Sequence, residues 1–171
     1  MEEIDITDKY KRELGVKTVE DSKVVRYKVL MHEDINGYGR LFGGRLMEMI
    51  DEAAGIVATR HCTHVVTTAA VDNLQFKKGA FLGDVVVIEA YMTYVGRTSI
   101  EVRADTYVED RATGLRHVIN RAYLTEVCVD SEGNPITVPY GLSIESEGQK
   151  AEWLGALKRI EMRRKRRREG F

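Results

Sequence analysis

The sequence predicts an α+β fold, in which a curved antiparallel β-sheet wraps around one long helix. Three observations predict it. A single long helical pattern lies early in the chain, from about Gly44 to Arg60. Consecutive β-rich segments follow that helix and are separated by short turn signals. The chain of 171 residues is 43% hydrophobic, which is enough for one folded core.

The elements follow in order along the chain. A polar lead-in over residues 1–23 precedes a strand from Val24 to Met31, and a glycine-rich loop then leads into the helix. Four further strands are predicted at Val65–Phe76, Asp84–Val95, Thr98–Glu109 and Arg116–Val129. Turn signals between them lie at Lys78-Gly79, Gly96 and Thr113-Gly114. Residues 24–140 are therefore expected to form the main domain.

The packing of the helix against the sheet is also predicted. In the strand from Thr98 to Glu109, an apolar set that includes Ile100 and Val102 alternates with polar residues, which gives the strand one core face. The helix is apolar nearly all round. We therefore expect the sheet to bury it on several sides.

Residues 141–171 are predicted to form an appended amphipathic helix with a basic end. Trp153, Leu154, Leu157 and Ile160 have helical spacing, and Trp153 is expected to anchor the helix. Residues 163–168 are six consecutive cations. We interpret them as a solvated helix end, with binding of an anion such as phosphate as the alternative.

Composition excludes several classes of protein. The net charge is −1, and no apolar run approaches the roughly 20 residues of a membrane-spanning helix. The acidic first residues lack the pattern of a secretion signal, so a cytoplasmic location is expected. Cys62 and Cys128 support neither a disulfide framework nor a zinc site and are expected to be reduced thiols. No metal site is predicted.

Asp51 is the first candidate catalytic residue. It lies among apolar helix residues, where a carboxylate requires a partner or a chemical purpose. It could act as general base for water or attack an acyl carbon, while backbone N–H groups at the Gly43-Gly44 helix start stabilise an oxyanion. The alternative is a structural carboxylate that accepts hydrogen bonds from the backbone. Because Asp51 lies roughly 10 Å along the axis from Gly44, a second subunit is expected to complete the site.

Asn36 is the second candidate, because its amide can donate to a carbonyl and accept from water. Asn-Gly is also a common turn signal. The whole pattern resembles the acyl-CoA thioesterases of the hotdog fold. The residues that carry this resemblance are Asp34-x-Asn36-x-x-Gly39-x-x-Phe42-Gly43-Gly44, Met49-Ile50-Asp51-Glu52-Ala53-Ala54, Val65-Val66-Thr67-Thr68, Asn73-x-x-Phe76, Gly83-Asp84-Val85 and Val95-Gly96-Arg97-Thr98-Ser99.

The resemblance implies a dimer joined edge to edge into a continuous sheet, often as a trimer of dimers. It places Asp51 from one subunit beside Asn36 from the other, with Gly44 as the oxyanion site. It implies hydrolysis of acyl-CoA to free coenzyme A and a carboxylic acid. Coenzyme A is then part of the substrate, and no separate cofactor is expected.

The resemblance also implies binding residues. It places the phosphates and pantetheine of coenzyme A near Gly96, Arg97, Thr98 and Ser99, with possible contacts from Lys77 and Lys78; the alternatives are a plain hairpin and solvated lysines. The substrate channel is expected along Phe42, Gly43, Thr67 and Thr68.

The histidines have no inherited role. His32 stands where the family pattern favours a residue such as proline, and we expect His32, His61, His64 and His117 to be surface or structural residues. Cys62 with His61 and His64 resembles a nucleophile pair only superficially, because sequence neighbours rarely aim at one point.

Two other functions remain open. The first is a non-catalytic acyl-CoA sensor, although residues 1–23 are too few for a helix-turn-helix module and a cationic tail gives only unspecific nucleic-acid affinity. The second is hydration of an enoyl thioester, which related hotdog enzymes perform with a histidine that this chain lacks in the required place.

Overall fold

A computed structural model describes residues 12–170 of the chain. Its elements in chain order are β1 (Val16–Lys17), β2 (Val24–Val29), a 3₁₀ turn (His32–Asp34), α1 (Gly43–Cys62), β3 (Val65–Phe76), β4 (Val85–Val95), β5 (Ser99–Glu109), β6 (Arg116–Val129), β7 (Gly141–Leu142) and α2 (Glu147–Glu169). The predicted α+β fold is confirmed. Two short strands, β1 and β7, were not predicted; they pair in parallel and form a second small sheet.

Five strands form one antiparallel sheet in the order β2-β4-β5-β6-β3. α1 contacts all five of them, because the sheet curves around the helix. The β4–β5 hairpin closes with a hydrogen bond from Gly96 N–H to Ser99 O at 2.7 Å. A Cβ at Gly96 would lie 3.0 Å from Ser99 Oγ, so a glycine suits this tight turn.

One expectation about α1 was wrong: the helix is not buried all round within one chain. The face toward the sheet is buried, as at Ile50, Ala54 and Val57. The opposite stripe is exposed and includes both Met47 and Asp51. The reason is that a single curved sheet covers only one side of a helix. Asp51 itself is therefore exposed in the isolated chain.

The other face of the sheet is covered by α2. Ser146 caps this helix by accepting a hydrogen bond from Gln149 N–H, and Trp153 packs on Tyr94 with ring centroids 4.6 Å apart. Trp153 thus anchors the helix, as predicted. Because α2 covers this face, the polar residues of β5 that alternate with the core set are not all solvated, and Glu101 and Asp105 are buried.

β3 forms one edge of the sheet, and most of its residues are exposed. Val65, Val71 and Phe76 each expose 41% or more of their surface. Such an apolar edge with unpaired backbone groups is a template for pairing with another strand. The predicted boundaries at residues 23/24 and 140/141 stay predictions, and residues 1–11 of the lead-in lie outside the described residues.

Candidate active site

Three polar side chains from three elements meet beside α1. Thr68 on β3 lies with its Oγ1 2.7 Å from Asp51 Oδ1. The same oxygen lies 3.1 Å from Oε1 and 3.2 Å from Oε2 of Glu126 on β6. A hydroxyl group therefore connects two carboxyl groups. Thr68 was predicted only as part of the substrate channel, and Glu126 was not predicted at all.

Glu126 is the buried member of this cluster, with 1% of its surface exposed. The pKa of Glu126 is raised to about 7, chiefly by burial and also by the negative charge of Asp51, while the Thr68 hydroxyl has the opposite effect. The sequence held a signal for this residue. In β6, Ala122, Leu124 and Cys128 alternate as core residues, and Glu126 occupies the same face.

An apolar groove adjoins Asp51. Its volume is about 240 Å³, and the residues that line it are Met47, Glu48, Ile50, Asp51, Val71, Leu74 and Leu124. Five of these seven side chains are apolar. The groove thus offers a hydrophobic surface that ends at a carboxylate.

The start of α1 presents backbone N–H groups without a side-chain cap. Phe42 is the N-cap residue, and no side chain there accepts a hydrogen bond. A Cβ at Gly44 would lie 2.7 Å from a ring carbon of Phe42, so the ring packs directly over the backbone of Gly44. Phe76 lies over Gly43 in the same way, with 3.3 Å for the corresponding distance. This close approach of the rings explains why residues 43 and 44 are both glycine. It leaves the backbone N–H groups of the helix start between the exposed rings of Phe42 and Phe76.

The loop before α1 is held by Asp34, whose structural role the sequence did not reveal. Its Oδ1 accepts from Arg45 Nε at 3.0 Å, and its Oδ2 accepts from Met31 N–H at 2.8 Å and lies 3.3 Å from Lys28 Nζ. Burial alone would raise the pKa of Asp34, but these hydrogen bonds and charges outweigh it and hold the pKa below its usual value. Asp34 is therefore a buried counterion that fixes the loop.

Asn36 lies in the turn that follows Asp34. Its Oδ1 accepts from Tyr38 N–H at 2.9 Å and from Arg40 N–H at 3.2 Å. The amide oxygen therefore holds the turn, and the amide NH₂ group is the part left for other contacts. Within the described part of one chain, no hydrogen bond joins Asn36 to Asp51. The single subunit does not bring these two predicted residues together.

The predicted phosphate-binding hairpin lines a cleft of about 340 Å³. Its lining includes Gly96, Arg97, Thr98 and Ser99 from the hairpin and Arg163, Arg164 and Arg167 from α2. Arg163 is paired with Asp72, whereas Arg164 and Arg167 are exposed. The basic end of the chain is thus an ordered helix beside the hairpin, and the cleft carries excess positive charge.

Lys77 and Lys78 lie elsewhere. They follow the C-terminal end of β3, whereas Thr67 and Thr68 lie near its start, roughly 30 Å away by strand rise. Thr67 pairs with Val127 of β6, and within residues 12–170 the side-chain hydrogen bond to Asp51 comes from Thr68. Within one subunit, the two lysines therefore lie far from the hairpin cleft.

The histidines and cysteines have structural surroundings. His61 is buried between Ser22 Oγ and Tyr140 O, and burial lowers its pKa to about 4. Cys62 and Cys128 are free and buried. Among residues 12–170, no three His, Cys, Asp or Glu side chains are grouped as a metal site would require, and no helix is long and apolar enough to cross a membrane.

Known proteins are similar to this chain in sequence. Residues 38–115 match the thioesterase superfamily. YkhA of Bacillus subtilis, an uncharacterised acyl-CoA thioester hydrolase, is 40% identical over 119 residues, which cover 70% of this chain and 69% of that protein. The chain belongs to the hotdog-fold acyl-CoA thioesterases. The resemblance found in the sequence is thereby confirmed.

Solved thioesterases share the fold. The acyl-CoA hydrolase of Staphylococcus aureus, solved in complex with butyryl coenzyme A, coenzyme A and coenzyme A disulfide, superposes with a TM-score of 0.84 at 34% identity over 91% of this chain and 94% of that chain. An apo-hexameric acyl-CoA thioesterase matches with a TM-score of 0.84 at 34% identity over 90% of this chain and 97% of that chain.

The Staphylococcus aureus protein was also solved as three variants, in which an asparagine, an aspartate and a threonine are separately replaced by alanine. In that protein the three positions are 15 and 17 residues apart. The same intervals separate Asn36, Asp51 and Thr68 in this thioesterase.

Proposed function

We propose that this thioesterase hydrolyses acyl-CoA at Asp51, with Thr68 as its hydrogen-bonding partner. The observation that carries the proposal is the carboxylate of Asp51, which accepts from Thr68 at the end of an apolar groove. An acyl chain in that groove would bring its thioester carbonyl next to Asp51. The matching intervals of the substituted residues in the Staphylococcus aureus protein support the same assignment.

We propose that two subunits form each site through their β3 edges. Asp51 and Thr68 lie near the start of β3, whereas Phe76, next to the Gly43-Gly44 helix start, lies at its end. Antiparallel pairing of β3 with its copy sets the start of one strand beside the end of the other. This brings Asn36 and Gly44 of one subunit toward Asp51 of the next. A trimer of such dimers is consistent with the hexameric relative.

In the proposed reaction, Asp51 removes a proton from water as the water oxygen attacks the thioester carbon. The Gly44 N–H group donates to the developing oxyanion, and the Asn36 amide donates to the carbonyl or orients the water. Collapse of the tetrahedral intermediate breaks the carbon–sulfur bond and releases the thiol and the carboxylic acid. In the alternative course, Asp51 itself attacks the carbon, and water hydrolyses the resulting anhydride.

We propose that the hairpin cleft binds the phosphates of coenzyme A. Arg97 and the hydroxyl groups of Thr98 and Ser99 supply donors there, and Arg164 and Arg167 add positive charge. Coenzyme A enters as part of the substrate, and the chemistry calls for no separate cofactor. A role for Lys77 and Lys78 requires a neighbouring subunit. The cytoplasmic location stays a prediction.

The test is thiol release from short, medium and long acyl-CoAs. Asp51→Asn should lower kcat at least ~100-fold while the oligomer stays intact, because the amide cannot accept a proton from water. Glu52→Gln is the matched control, since Glu52 is the next residue on the exposed face of α1 and pairs only with Arg26. Full turnover by Asp51→Asn contradicts the proposal, and tight acyl-CoA binding without turnover by the native protein favours a sensor. In a single turnover in ¹⁸O-labelled water, label recovered in Asp51 establishes the nucleophilic course, because only water that attacks the aspartyl carbonyl carbon of the anhydride leaves its oxygen on Asp51.

A further inference from the structure

We propose that Glu126 is a positioning residue that works as a protonated acid: its carboxyl group donates a hydrogen bond to Thr68 Oγ1, and Thr68 consequently donates its own hydrogen to Asp51. This inference rests on the proposed function, because it concerns how Asp51 is held for hydrolysis. Glu126 itself touches no reacting atom. It acts through Thr68.

The number of hydrogens available around Thr68 Oγ1 determines how the three groups are arranged. A threonine hydroxyl has one hydrogen to donate and two lone pairs to accept. Thr68 Oγ1 lies within hydrogen-bonding distance of one oxygen of Asp51 and both oxygens of Glu126. If both acids were ionised, one of them would face the hydroxyl with no hydrogen between them. A single proton on one acid satisfies all three groups.

The surroundings of Asp51 and Glu126 determine which of the two acids carries the proton. Asp51 is exposed on the outer stripe of α1, where water stabilises a negative charge, whereas Glu126 is buried. Among residues 12–170, the groups around Glu126 include no compensating cation. β5 places Ile100 opposite it, β6 places the buried Cys128 thiol two residues away, and α1 contributes the negative Asp51. The raised pKa of Glu126 agrees with this assignment of the proton.

The proton on Glu126 fixes the orientation of the Asp51 carboxylate. The Thr68 hydrogen is directed to Oδ1 at 2.7 Å, the shortest contact in the cluster, which leaves Oδ2 for the substrate or water. When Glu126 loses its proton, its carboxylate competes for the Thr68 hydrogen and repels Asp51. The fixed orientation of Asp51 is then lost. Turnover should therefore decline as the pH rises through about 7, the pKa of Glu126.

The experiment compares Glu126→Leu with Glu126→Gln. Leucine removes the donor, so we expect kcat to fall roughly tenfold, the equivalent of one hydrogen bond of about 1.4 kcal/mol. The glutamine amide still donates to Thr68, so we expect it to restore most of the activity that leucine loses. Because glutamine does not ionise, the decline of kcat near pH 7 should disappear in this variant. In a Thr68→Val background, Glu126→Gln should change the pH profile much less, because only the direct repulsion between Glu126 and Asp51 remains to be removed.

Each outcome is decisive. A decline near pH 7 that persists in Glu126→Gln, or equal kcat values for the leucine and glutamine variants, overturns the role of Glu126. If the leucine variant does not fold, the pH profile of Glu126→Gln decides alone. Asp51→Asn, assayed in parallel, distinguishes failure of this proposal from failure of the proposed function. If Asp51→Asn loses turnover while the pH profile of Glu126→Gln equals that of the native protein, only the positioning role of Glu126 is rejected. Glu101→Gln is the matched control on the other face of the sheet, and it should leave the pH profile of kcat unchanged.

Discussion

Two buried glutamates on neighbouring strands of the same sheet face different partners. Glu101 on β5 and Glu126 on β6 each expose 1% of their surface, and each contacts a threonine hydroxyl. Glu101 also accepts from Arg159 of α2, at 2.7 Å and 3.0 Å. The charged neighbour of Glu126 is instead the carboxylate of Asp51. The charged neighbour of Glu101 is therefore a cation, and that of Glu126 is an anion.

The difference shows how the two faces of one sheet serve different purposes. On the face covered by α2, the guanidinium of Arg159 balances Glu101 and stacks 3.6 Å from the centroid of the Tyr123 ring, so the charge is a structural contact. On the face toward α1, the cluster has no guanidinium among the described residues, and the raised pKa of Glu126, about 7, keeps its carboxyl group partly protonated near neutral pH. A buried acid without a cation is the arrangement that allows titration near pH 7.

Removal of Arg159 should have the largest effect on stability. Arg159→Met leaves Glu101 buried without its cation, and we expect the free energy of unfolding to fall by about 3–5 kcal/mol. Urea-induced unfolding at fixed protein concentration measures it. Lys158→Met, on an exposed position of the same helix, is the control and should change stability by less than about 0.5 kcal/mol.

A double variant sharpens this result. Glu101→Met combined with Arg159→Met replaces the ion pair with apolar side chains, and it should be more stable than either single variant. An Arg159→Met protein as stable as the native protein would show that Glu101, like Glu126, tolerates burial without a cation. The contrast between the two glutamates would then be wrong.

The pH dependence of stability is the next test. Glu126 has a pKa of about 7 in the folded chain and 4.5 as an ordinary glutamate, so between these values the folded state binds more protons. The free energy of unfolding should therefore fall by at most about 3 kcal/mol as the pH rises from 4.5 to 7, and it should stay level above pH 7. Glu126→Gln should remove this fall. Thermal unfolding of both proteins between pH 5 and pH 8 measures the difference, and parallel curves would contradict the raised pKa.

These contrasts explain which features the sequence could predict. Periodicity located α1 and the five main strands to within two residues at nearly every end, because local patterns specify such elements. The catalytic roles of Asp51 and Asn36 were predicted from the sequence and stay predictions. The burial of Glu101 was not predictable from β5 alone, because it depends on α2 packing across the sheet from more than 40 residues away. Glu126 was detectable as a polar residue in an apolar alternation, but its contact with Thr68 depends on the pairing of β3 with β6.

The smallest predicted effect concerns the two threonines. Thr93 Oγ1 donates to Glu101 Oε1 at 2.7 Å, and this hydrogen bond to a charged group should contribute about 2 kcal/mol to stability. Thr93→Val should lose that amount equally at pH 6 and pH 8, because Glu101 keeps its cation at both values. Thr68→Val should differ, since Thr68 contacts Glu126, which titrates between these two pH values, so the loss of stability should not be the same at pH 6 and pH 8. Chemical unfolding at the two pH values gives the comparison. A pH-dependent loss in Thr93→Val would contradict the contrast between the two glutamates.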